Sequence, residues 1–126
     1  MSGPRRLAVL YICHGDLPPD QVLAPLIRYA RARGRRTVAH FAEPVPPSTP
    51  LTDRKVWANQ VLPFLNQGAV DLLIANSESE LASTDDERAA LRLTLLRLGV
   101  EADYRFRPPS MATYVADTAC DAGARG

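Results

Sequence analysis

Short apolar runs alternate along this chain with stretches of helical periodicity. Leu7-Ala8-Val9-Leu10-Tyr11-Ile12-Cys13 is a continuous apolar run, the pattern of a strand covered on both faces. After a loop punctuated by glycine and proline (14–19), residues 20–33 place Val22, Leu23, Leu26, Ile27 and Ala30 on one helical stripe. Arg28, Arg31 and Arg35 share the other side. Pro25 lies beyond the first turn, where it removes a backbone bond and predicts a kink; Gly34 predicts the end of the helix. Residues 37–42 predict a second strand. Residues 43–50 hold Pro44, Pro46, Pro47 and Pro50 and predict irregular chain. Thr52 is the expected cap of a helix from Asp53 with Val56, Trp57, Val61, Phe64 and Leu65 inward, bent or split at Pro63 and ended by Gly68. Residues 70–75 predict a third buried strand.

A polar loop is expected over 76–83. Thr84 with Glu87 three residues on is a capping box, opening a helix to about Leu98 with Leu91, Leu95 and Leu98 inward and Gly99 as its stop. The acids Asp85, Asp86 and Glu87 suit the positive end of that helix dipole. The last strand alternates, with Val100, Ala102, Tyr104 and Phe106 on one face and Glu101, Asp103, Arg105 and Arg107 on a wet face. Residues 108–126 lack pattern and are expected to form a disordered tail, leaving one domain over 1–107. Strands alternating with helices imply an α/β three-layer sandwich on a mainly parallel sheet of four to five strands. Its working crevice belongs at the carboxyl ends of the strands, among loops 13–20, 43–52 and 76–84.

The chain has 126 residues, 46% of them hydrophobic, which suffices for one packed core. No apolar run reaches membrane-spanning length, and nothing near the start resembles a signal peptide. Cys13 and Cys120 stand far apart, as free thiols of a reducing cytoplasm do. The net charge of +1 conceals an asymmetry. Residues 1–40 carry seven arginines against Asp16 and Asp20, a surplus of +5. Residues 41–126 carry eight basic and twelve acidic residues, an excess of −4. A basic front half can face nucleic acid, with Arg28, Arg31, Arg35 and Arg36 as candidate contacts, or can be an ordinary solvated helix face.

Residues 5–106 resemble the catalytic domain of serine recombinases, the resolvase and invertase family, which implies a resolvase-like (Rossmann- or flavodoxin-like) topology. That family opens with an apolar-Tyr-x-Arg-x-Ser strand; the matching residues are Tyr11, Ile12, Cys13, His14 and Gly15. The stretch LIRYARARGRRTVAHFAE resembles the segment after the family's serine, with Glu43 near its acidic residue. GAVDLLIA resembles its Gly-x-Val-Asp strand. The family's Arg-Leu-x-Arg motif falls on Glu80, Leu81, Ala82 and Ser83. The tyrosine is kept, whereas the serine and three arginines are replaced. A glycine offers no nucleophile, and Glu80 repels a phosphate that an arginine would clamp. The resemblance therefore implies a catalytically silent, bacterial-looking resolvase-like domain with a regulatory or accessory role. Its partners would be another protein, further copies of itself in a homo-oligomer, or DNA. The long dimer helix and helix-turn-helix of the family have no counterpart in the pattern, so its usual dimer geometry is not expected.

Two other readings use the same crevice. A small enzyme would place Cys13, His14, Asp16 and Glu43 in its site, although neighbours on a strand point to opposite faces and a buried cysteine is usually a small hydrophobe. An active recombinase would need a relocated nucleophile, such as Ser77, Ser79 or Ser83. A metal on His14, Asp16 and Glu43 lacks ligand spacing. No dinucleotide or phosphate-loop motif occurs, and no cofactor is expected; a small anion would find a helix start after Gly15.

Overall fold

The computed structural model describes residues 7–106. The expected tail over 108–126, Arg107, and the arginines at 5 and 6 lie outside the described residues. Four strands, β1 (Leu7–Cys13), β2 (Arg36–Glu43), β3 (Leu72–Ala75) and β4 (Glu101–Tyr104), form one sheet in the order β2-β1-β3-β4. Every pairing is parallel.

Both faces of β1 are covered, which accounts for its unbroken apolar run. Ala8, Leu10 and Ile12 pack with Leu23, Leu26 and Ala30 of α1 (Pro19–Ala32). Val9, Tyr11 and Cys13 point the other way, into a core with Trp57, Val61, Leu65, Leu91 and Leu95. Burying each such large side chain contributes about 1.5–3 kcal/mol. α1 runs through Pro25 as one helix, with Leu23, Leu26 and Ala30 in the core on either side of the missing donor.

The segment after β2 differs from the expected helix capped by Thr52. Leu51–Asp53 is a separate 3-10 turn, and Arg54 is extended. Helix resumes at Lys55, passes through a π-helical turn at Trp57–Val61 and continues as α2 (Leu62–Asn66). Pro63 has no N–H to return to the preceding turn, and the widened turn just before it accommodates that loss. The expected polar loop over 76–83 contains a one-turn helix, α3 (Glu78–Leu81), because the Ser77 side chain accepts the Glu80 N–H and Leu81 is fully buried. In α4 (Asp85–Leu98) both halves of the Thr84–Glu87 capping box are formed. Gly99 adopts the left-handed conformation (φ 72°) that ends the helix.

The final strand is shorter than its alternation suggested, and one residue of its wet face is buried. Asp103 is 2% exposed, because the Tyr29 hydroxyl donates to it at 2.7 Å and the Arg33 and Arg35 Nε atoms reach it at 3.3 and 3.4 Å. No helix of the described residues is long and apolar enough to cross a membrane.

Candidate functional site

Strand order reverses at β1, since β2 lies on one side of it and β3 and β4 on the other. The carboxyl ends of β1 and β3 therefore flank the point where an open parallel sheet leaves a crevice. At it stand Cys13 at the end of β1, His14 and Gly15 in the turn that follows, Glu43 at the end of β2, Arg54 from the segment beyond, and Asn76 to Glu80 after β3.

Glu43 is 1% exposed and bound on three sides. Oε1 accepts the Tyr11 hydroxyl at 2.7 Å and the Trp57 N–H at 2.9 Å; Oε2 accepts the Val56 N–H at 2.8 Å. A carboxylate from β2 thus caps the helix that opens at Lys55, satisfying N–H groups that have no partner within a first turn. The negative charge also suits that helix end.

Arg54 is 1% exposed. Its Nε donates to the Thr49 carbonyl at 2.9 Å, and Nη2 donates to the carbonyls of Pro47 at 2.8 Å and Glu80 at 2.6 Å. One buried cation thereby ties the proline-rich segment to α3, while its Nη1 makes no hydrogen bond. Sequence reasoning missed Arg54. It is one arginine in a polar stretch, and the carbonyls it binds come from segments that only the fold brings together.

The remaining groups are shaped by the same burial. Desolvation raises the Cys13 thiol above its ordinary value; Arg54 and the Tyr11 hydrogen bond oppose the rise, and Glu80 and Glu43 add to it. The Cys13 thiol lies 3.8 Å from the Tyr11 oxygen and stays protonated at neutral pH. Desolvation pushes the Tyr11 phenol far above its usual range, against the pull of Arg54. The Glu80 carboxyl is also raised, chiefly by burial, with Asn76 and Arg54 drawing it back.

The other candidates do not converge on one reacting point. His14 Nδ1 lies 2.9 Å from the Leu17 carbonyl, and Asp16 is exposed. Among the described residues no group of three His, Cys, Asp or Glu stands close enough to hold a metal. Gly15 has φ 57°, and a Cβ there would lie 3.7 Å from the Pro46 Cα. Backbone conformation, more than space, selects glycine there. The Ser77 and Ser79 hydroxyls are 3.1 Å apart, and Ser83 donates to Glu87 at 3.1 Å, away at the start of α4. α1 begins only at Pro19, uncapped by any side chain, and Pro19 brings no donor for an anion. Of the basic candidates, Arg28, Arg31 and Arg36 are exposed, while Arg35 is partly buried against Asp103.

No family model and no curated protein matches this chain. Solved structures do. The N-terminal catalytic domain of TP901-1 integrase superimposes with a TM-score of 0.69 at 13% identity, covering 90% of each chain. The C-terminal catalytic domain of ISC1926 TnpA, an IS607-like serine recombinase, gives 0.66 at 19% identity over 88% of this chain and 76% of the other. A serine recombinase from Sulfolobus solfataricus gives 0.63 at 13% identity over 90% of this chain and 77% of the other.

The fold is that of a serine recombinase catalytic domain. In this resolvase-like domain, Cys13, Gly15 and Glu80 of the resembling motifs sit around one crevice, and Ser83 sits outside it at the α4 cap. At identities below 20% the likeness extends to architecture and leaves the chemistry to the residues present.

Proposed function

We propose that this resolvase-like domain is a binding module with a regulatory or accessory role, and that it does not cut or join DNA. One observation carries the reading. The two fully buried charges of the crevice are committed to the fold itself, Arg54 to three carbonyls, with its Nη1 left over, and Glu43 to a helix start and Tyr11. The residue at the serine position is a left-handed glycine. Phosphoryl transfer needs an exposed nucleophile and cations aimed at the phosphate. Cys13, the thiol an alternative enzyme would use, is buried with its proton held.

The partners in this reading are a protein, a second copy of the chain, and DNA through the exposed Arg28, Arg31 and Arg36. A salt series of fluorescence anisotropy on random duplex DNA tests the last of these. Affinity should fall linearly with log salt, and Arg28→Glu with Arg31→Glu should flatten the slope by roughly one to two phosphate equivalents. The same protein incubated with supercoiled DNA should leave no covalent adduct. An adduct surviving denaturation would overturn the proposal in favour of an active recombinase with a relocated nucleophile.

A further inference from the structure

α4 is apolar on the side that faces away from the core as well as on the side that faces it. Leu91 and Leu95 are buried beneath the helix, as a surface helix requires. On the opposite side, where polar residues belong, stand Ala89, Leu93 and Leu96; Leu93 is 46% exposed and Leu96 75%. Their spacing of four and then three residues is that of a seam between two helices. The seam runs between two hollows. One, of about 370 Å³, lies between α4 and the π-helical turn, lined by Leu51, Trp57, Leu62 and Leu91. The other, of about 300 Å³, lies between α4 and β4, lined by Leu96, Val100, Ala102 and Tyr104 and closed on one side by the Glu78–Arg92 ion pair. A ridge of leucines flanked by mainly apolar hollows with charged margins is a surface that can interdigitate with a second helix.

We propose that a second copy of this chain docks on this ridge, α4 against α4, antiparallel across a twofold axis. Charge along the helix selects that partner. The first turn carries the exposed acids Asp85, which already pairs with Arg88 at 2.6 Å, and Asp86, and the last turn carries the exposed Arg97. Antiparallel pairing lays the acidic end of each copy beside Arg97 of the other, so one favourable contact is made twice. It also sets opposing helix dipoles side by side, and it lets Leu93 of one copy pack against the small Ala89 of the other. A parallel pair would place like charges together at both ends. A helix of 14 residues is about 21 Å long, so the contact is a small one and the dimer a weak one, with dissociation in the micromolar range or above.

The surface deepens the binding-module reading and rests on it. Sedimentation velocity from about 5 to 500 μM protein should show the average mass rising from monomer toward dimer. Leu93→Glu with Leu96→Glu should weaken association at least tenfold, while circular dichroism stays native because both positions face solvent. Asp86→Arg alone and Arg97→Glu alone should each weaken it severalfold, and the two together should restore it, since the attraction is reversed without being removed. A chain monomeric at every concentration overturns the proposal. So does a dimer indifferent to the two leucines, or singles that the double variant fails to rescue. A monomer that still binds DNA sinks the surface and leaves the module; a dimer that forms a covalent DNA adduct does the reverse.

Discussion

Replacing Glu43 by glutamine tests whether the candidate site is held together by its buried carboxylate. The side chain is 1% exposed and accepts three hydrogen bonds, from Tyr11 Oη, Val56 N and Trp57 N. Each hydrogen bond to a charged acceptor contributes about 1.5–3 kcal/mol net, and each buried group left without its partner costs about 1–3 kcal/mol. Glutamine keeps the shape and one acceptor oxygen. Its NH₂ would face an N–H or O–H, so at least one donor loses its acceptor. The expected loss is about 2–3 kcal/mol for Glu43→Gln and on the order of 4 kcal/mol for Glu43→Ala, where all three donors are stranded. Against a domain stability of about 5–15 kcal/mol, the second is a large fraction. Urea unfolding followed by both tryptophan fluorescence and far-UV circular dichroism measures these values, and Trp57 reports locally because its backbone N–H is one of the donors and its buried ring packs on Tyr11. If Glu43→Gln unfolded within about 0.5 kcal/mol of the parent, the carboxylate would be only a space-filling group, and the capping argument would be wrong.

Three further outcomes follow from the same geometry. Cys13 should resist iodoacetamide at pH 7 in the folded protein and react at once in urea, because burial holds its proton; mass spectrometry of the labelled chain reads this, and rapid native labelling would favour an enzyme. The folded-state pKa of Glu80 is raised, so the group destabilises the fold once pH rises above its unfolded value, and the full penalty is present above the folded value. Glu80→Gln should therefore be more stable than the parent at pH 7.5 and equal to it at pH 4, as urea midpoints at the two pH values will show; a gain at pH 4 alone would contradict the sign. Gly15→Ser should cost about 1–2 kcal/mol because φ there is positive, and it should form no covalent DNA adduct, since Arg54 remains bound to carbonyls.

What the sequence by itself determined is what neighbouring residues settle among themselves. The apolar run of β1, the stripe of α1, the Thr84–Glu87 box and the Gly99 stop all stand in the structure where periodicity and capping chemistry place them, since each depends on contacts within a few residues. Of the resolvase-like motif positions, Cys13, Gly15 and Glu80 lie near one another at the carboxyl ends of the strands, whereas Ser83 lies apart at the start of α4. Tertiary structure alone decided the fate of the charges. Glu43, Arg54 and Asp103 read locally as a crevice acid, a polar-stretch arginine and a wet strand residue, yet all three are buried. A charge leaves water only when its partners are supplied, and apart from the nearby Pro47 and Thr49 carbonyls on Arg54 these partners lie 13 to 74 residues away along the chain, as for Val56 to Glu43 and Tyr29 to Asp103. Parallel strands joined by long crossovers bring such distant groups together, and no local pattern records the pairing.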